Sequence, residues 1–201
     1  MSQDKAYPRL RINDKIIVDI FPCFRCVGQW PAEAQMHSLS LETKIRTNEI
    51  SEFELVPKET GSSQPYSTDR DAWYIDFTTA EDNIINHGNR KLCLSILKSI
   101  ANRKLRNAVV QQPRVLKTVF LYVCEKHTKE DSWQEKKLQD RINSVLLQLV
   151  ACLQSRCLPH YHLKGVNLLE GKSSRSIRFA LEDTWELARE LCTNKDFFKV
   201  V

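Results

Sequence analysis

The sequence predicts an α+β fold in which short strands come first and helices follow, with a sheet-bearing segment over residues 1–77 and a helical lobe over 78–201. Three observations predict it. A β-branched run, Ile16–Ile20, follows an Asn13-Asp14 turn signal. From residue 78 onward, apolar side chains recur every three or four positions, the period of amphipathic helices. Only 5 glycines occur in 201 residues, too few for an all-β chain built on tight turns.

The elements follow in order. Residues 9–21, RLRINDKIIVDIF, read as a hairpin or as a turn into a buried strand. Cys23-Phe-Arg-Cys26 and Trp30-Pro31 come next, in less regular sequence. Residues 40–71 are acidic and then polar, a connecting segment with one strand near Phe53–Val56. Thr78 or Thr79 caps a helix running to about Asn86, Glu81 and Asp82 favour its positive end, and Gly88 stops it. Leu92, Ile96, Ile100 and Leu105, helped by Cys93 and Leu97, mark the apolar face of a second helix. Pro113 starts a third, lined by Val115, Leu116, Val119, Phe120, Val123 and Cys124. Another runs from about Ser132 through Leu138, Ile142, Val145, Leu146, Leu149 and Leu153 until Leu158-Pro159. The last extends from about Ser174 to Cys192 with Ile177, Leu181, Trp185, Ala188 and Leu191 on its stripe. Most strand content is therefore expected in the first quarter of the chain.

Composition narrows the function classes. With 42% hydrophobic and 27% charged residues, the chain is neither disordered nor collagen-like. The longest apolar stretch, Val145–Leu153, is too short to span a bilayer, and the first residues lack a signal-peptide core. Seven cysteines without a repeating spacing suit reduced thiols, so an intracellular protein is expected, in nucleus or cytoplasm and away from membranes. Charge is unevenly spread. Residues 40–82 carry ten acidic groups against four basic. Residues 84–117 hold eight basic groups (Arg90, Lys91, Lys98, Arg103, Lys104, Arg106, Arg114, Lys117) and no Asp or Glu. That window is either a solvated helix face or a surface for the phosphates of a nucleotide or nucleic acid.

Among candidate chemical residues, Asp19 stands out because its neighbours Ile16 to Phe21 are apolar. It is either a metal-ligating carboxylate of a phosphoryl-transfer site or a strand-edge Asp facing solvent or an arginine. No Asp-x-Asp or Glu-x-Asp pair precedes it. Cys23-x-x-Cys26 lacks the second ligand pair that zinc requires, and His160-x-His162 and His87 with Cys93 each make only two ligands. All are read as structural. Neither a Gly-x-x-x-x-Gly-Lys nor a Gly-x-Gly-x-x-Gly loop occurs.

Several stretches together resemble the Mab-21 family, which also contains cyclic GMP-AMP synthase. They are Ile17–Cys26 with Trp30-Pro31, Trp73 with Phe77 and Ala80-Glu81, Arg90–Lys98, Leu116–Thr118 continuing to Tyr122–His127, Trp133, and Leu158–Tyr161 with Asn167-Leu168. In order and spacing they match over about residues 9–195, with the nearest likeness to the Mab-21-like developmental proteins. The resemblance implies the C-terminal part of a nucleotidyltransferase core followed by a helical lobe. It implies that Asp19 matches the third catalytic carboxylate, a ligand for Mg or Mn only if the other carboxylates are supplied. It also implies that Lys98 and Lys117, with Arg90, face nucleotide phosphates, giving the basic window a purpose.

The departures shape the expected function. Residues 1–19 hold no Gly-Ser pair and no further carboxylates in the family's pattern, so no catalytic set is expected in this chain alone. Tyr74 stands where the synthase has a base-contacting Arg. His87-Gly88 resembles the start of its zinc loop, but only Asn89–Leu92 separate Gly88 from Cys93, so zinc-dependent DNA sensing is not expected. The Ile16–Phe21 strand would present apolar surface and an unpaired edge, calling for a protein partner or self-association to complete the sheet. The expected function is a non-catalytic Mab-21-like protein in developmental or cell-fate regulation, with weak nucleotide or single-stranded RNA binding in the basic window 90–117. The alternative is the C-terminal part of a cyclic GMP-AMP synthase-like nucleotidyltransferase.

Overall fold

The computed structural model describes residues 9–13, 15–20, 22–27, 31–32, 34, 52–57 and 73–194. It is an α+β protein of two compact units, Met1–Trp30 with Thr47–Ala80, and Pro31–Arg46 with Glu81–Val201.

The first unit holds two small antiparallel sheets. Strands β1 (Arg9–Ile12) and β2 (Ile16–Asp19) form a hairpin, one of the two arrangements expected, with Leu10 opposite Val18 and Arg11 opposite Ile17. Asn13 turns the corner at φ 50°, a left-handed conformation that asparagine tolerates. Leu10, Ile12, Ile16 and Ile17 are exposed in it. The second sheet has the order β3 (Phe24–Val27), β4 (Glu52–Pro57), β5 (Trp73–Asp76). Leu55 stands opposite Ile75, Val56 opposite Tyr74, and the Phe24 and Trp73 rings meet at 5.3 Å. Of these strands only β4 is predicted from the sequence. The other two are four residues each, as are β1 and β2, but they lack the Asn13-Asp14 turn signal that marks that hairpin.

Helix α1 (Thr78–Ile85) begins where the Asp76 carboxylate accepts the Thr78 N–H at 2.7 Å. The cap is thus a strand-end carboxylate and neither threonine, a stronger acceptor for an orphan amide. Gly88, at φ 55°, turns the chain into α2 (Arg90–Lys104). The buried face of α2 is Cys93, Leu94, Leu97, Ile100 and Ala101, while Leu92 is 43% exposed. Of the six residues the sequence reading assigns to this face, Cys93, Leu97, Ile100 and Leu105 are buried and Ile96 packs half-buried against the core; Leu92 satisfies the spacing but faces outward.

Pro113 opens α3 (Pro113–Lys126) as expected. Its buried residues include all six predicted apolar positions plus Thr118 and Leu121, so it lies in the middle of the lobe. Two short 3-10 turns, Glu130–Trp133 and Glu135–Lys137, precede α4 (Leu138–Ser155). The predicted start near Ser132 thus belongs to a tighter coil. α4 packs along α5 (Ser174–Thr193), whose first turn is capped by Ser173 Oγ accepting the Ser176 N–H at 3.1 Å. Trp185 is 53% exposed and not on the core stripe, which runs Ile177, Ala180, Thr184, Leu187, Ala188 and Leu191. One continuous core joins Ile84 to Leu191, and each fully buried leucine within it contributes about 1.5–3 kcal/mol of burial. Among the described residues no helix is long and apolar enough to cross a membrane.

Candidate functional site

The basic window occupies α2, the loop after it and the start of α3. Along α2, Lys91, Ser95, Lys98 and Asn102 are all exposed. At intervals of four, three and four residues they form one polar stripe on a side that the core does not use. Arg103 and Arg106 are exposed at its end, and Lys104 pairs with Glu190 of α5 at 3.2 Å.

The other two predicted phosphate contacts have different surroundings. Arg90 is 6% exposed. Its Nη2 donates to the Thr128 carbonyl at 2.9 Å, its Nη1 lies 3.5 Å from the His87 carbonyl, and its guanidinium sits 5.4 Å from the Trp133 ring. Trp133 is itself fully buried, meets the Phe120 ring at 5.5 Å in a tilted arrangement, and donates its indole N–H to the His127 carbonyl at 2.7 Å. Arg90 and Trp133 thus hold the exit of α3 together, Trp133 serving the carbonyl of the C-cap His127 and Arg90 that of the residue after it.

Lys117 is 21% exposed and held by carboxylates: its Nζ lies 2.6 Å from Glu81 and 3.7 Å from Asp82 of α1. Glu81 also lies 3.9 Å from Nε2 of the buried His162. Sequence reasoning gives Glu81 only a helix-end role. Nothing local signals a partner 36 positions away. Lys98 and Lys117 therefore present different charges to a ligand, one on an open helix face and one largely neutralised by its neighbours.

The candidate metal ligands have different surroundings. Asp19 ends β2 opposite Arg9, and its side chain lies outside the described residues. Cys23 is exposed, Cys26 half-buried, and its thiol contacts the Phe24 carbonyl. Nδ1 of His160 accepts the N–H groups of His162 and Leu163, both at 3.1 Å, so this imidazole closes a turn. Its pKa is lowered by burial first and by Arg114 second. Burial pushes the Cys93 thiol up to about 12, against a smaller opposing pull from Arg141, and Cys124 is raised for the same first reason. Among the described residues no three His, Cys, Asp or Glu side chains gather in a way that could hold a metal ion. The Asp19 carboxylate, to which the resemblance assigns Mg or Mn, is not among the described side chains. Tyr74 is exposed on β5.

Two family models match the chain: the Mab-21 protein nucleotidyltransferase domain over residues 4–87, and the Mab-21 protein HhH/H2TH-like domain over residues 89–186.

Proposed function

Because the chain belongs to the Mab-21 family, we propose that it acts by binding rather than by turnover, using the open stripe of α2 to hold the phosphates of single-stranded RNA or a nucleotide. The developmental, cell-fate role of the Mab-21-like proteins is the setting this reading adopts, in nucleus or cytoplasm. One observation carries it. Lys91 and Lys98, with Ser95 and Asn102 between and beyond them, stand exposed on one side of α2 in a window without a single Asp or Glu. Such a row of lysines with hydrogen-bonding side chains can track a phosphate backbone without reading bases. Lys117 contributes less, since Glu81 and Asp82 already neutralise it, and Arg90 supports the stripe from beneath by fixing the helix start.

The test is anisotropy of a labelled single-stranded RNA against the whole chain over a salt series. Affinity is expected to fall with salt by roughly 0.7 log units per decade for each phosphate contacted. Lys91→Glu with Lys98→Glu should remove most of the binding, and Lys117→Gln should change it less than Lys98→Gln. Binding that ignores salt, or that survives the double charge reversal, would refute the assignment.

A further inference from the structure

A second basic feature lies outside the window, where α4 ends and α5 begins. A cavity of about 530 Å³ is lined there by Leu153, Gln154, Arg156, Ser174, Arg175, Ile177, Arg178 and Leu181. Leu153 and Ile177 are buried and Leu181 half-buried, giving an apolar floor, while the three arginines form an exposed rim. We infer that this cavity is a binding site for a small phosphate ester, its phosphate held by Arg156, Arg175 and Arg178 and its apolar part seated on Leu153, Ile177 and Leu181.

The rim is built rather than incidental. Arg156 occupies the position after α4 with φ 53°, a left-handed conformation that glycine usually takes at a helix end. Its backbone is tied down: its N–H closes back on α4, and its carbonyl accepts from Asn167 at 3.0 Å. Its guanidinium then reaches the next helix, where Nη1 donates to Ser174 Oγ at 2.8 Å. Arg175 and Arg178 lie 5.5 and 5.9 Å from the Phe179 ring, a stacking surface that restricts both. Glu182 lies 3.8 Å from Arg178 with both side chains well exposed, so that carboxylate competes weakly. Three guanidiniums and a hydroxyl offer more donors than a carboxylate's two oxygens can use, whereas a phosphate group can engage them in bidentate fashion. The volume suits a small molecule, and the apolar floor favours an organic ester over the free ion.

The test titrates the whole chain with phenyl phosphate and with inorganic phosphate, by calorimetry or by phosphorus NMR. Phenyl phosphate is expected to bind more tightly than inorganic phosphate. Arg175→Ala with Arg178→Ala should weaken it by roughly tenfold or more, while thermal stability stays unchanged. Arg156→Gly is the discriminating variant. It removes a guanidinium yet suits the left-handed backbone, so affinity should drop while the melting temperature holds or rises. Lys136→Glu, an exposed residue of the turn before α4 and outside both basic features, should leave phenyl phosphate binding intact, which separates this cavity from general surface charge. No phenyl phosphate binding, equal affinity for the free ion, or indifference to all three arginines overturns the proposal.

Discussion

Two lysines in one basic window illustrate how little residue type says about availability. Lys98 stands open on α2, while Lys117 is claimed by Glu81, a residue of another helix. The same contrast holds for titration. His160 must keep Nδ1 unprotonated to accept two backbone N–H groups, and burial lowers its pKa in the folded chain. As pH falls below about 6.5, the unfolded chain therefore takes up protons at this ring before the folded one does, and stability is lost on acidification. Urea midpoints at about pH 7.5 and 5.5 should show that loss, and His160→Gln should flatten the dependence without abolishing it, since His127 is lowered by burial as well. A midpoint that rises on acidification would contradict the role given to this imidazole. The thiols divide by the same physics. Cys23, Cys157 and Cys192 are exposed and should react with a thiol reagent in the native chain, whereas Cys93 and Cys124 should label only on unfolding. The roles of Glu81 and Arg90 could not be read from the sequence, because both depend on tertiary neighbours that no spacing announces. The solvated nature of Lys98 could be, from a helical period with no acid nearby.

At the level of elements, periodicity located the helices well and their faces less well. All six apolar positions assigned to α3 are buried, with Thr118 and Leu121, because most of that helix is covered and only Pro113, Arg114 and Lys126 are exposed. α2 and α5 lie at the side of the lobe, where one step of rotation decides what is buried. Leu92 and Trp185 satisfy the helical spacing and yet face outward. Size misled the reading at Trp185: a large aromatic side chain invites assignment to a core, although the small Ala188 and Ala180 are what bring α5 close to its neighbours. The difference is measurable. Trp185→Ser should change unfolding free energy by no more than about 0.5 kcal/mol, whereas Leu191→Ala, at a fully buried position, should cost about 2–5 kcal/mol. Comparable losses at both sites would place Trp185 in a contact that its exposure denies. The short strands β3 and β5 differ from the equally short β1 and β2 in having no turn signal beside them, so nothing in the sequence marks them.

For the whole molecule, the decisive fact is where the main core begins and ends. Every buried residue in it lies between Ile84 and Leu191, on α1 through α5 and the turns joining them. The Arg90–Trp133 clamp, the Lys117–Glu81 pair and the arginine-rimmed cavity are made by residues of these same helices and the turns between them. Residues 78–201 should therefore fold alone. Pro31–Arg46, which belongs to the same compact unit and includes Ala34 bridging Leu163, is left outside, and the melt reads what it adds. The expected result is a strongly helical far-ultraviolet spectrum and a cooperative melt, with an unfolding enthalpy on the order of 80 kcal/mol for a chain of this length. Phenyl phosphate affinity should equal that of the whole chain, because every residue assigned to that cavity is present. A broad, non-cooperative melt would mean that this core depends on residues before 78. A cooperative melt with lost phosphate affinity would instead locate part of that site in the preceding residues, and the two outcomes are told apart in one preparation.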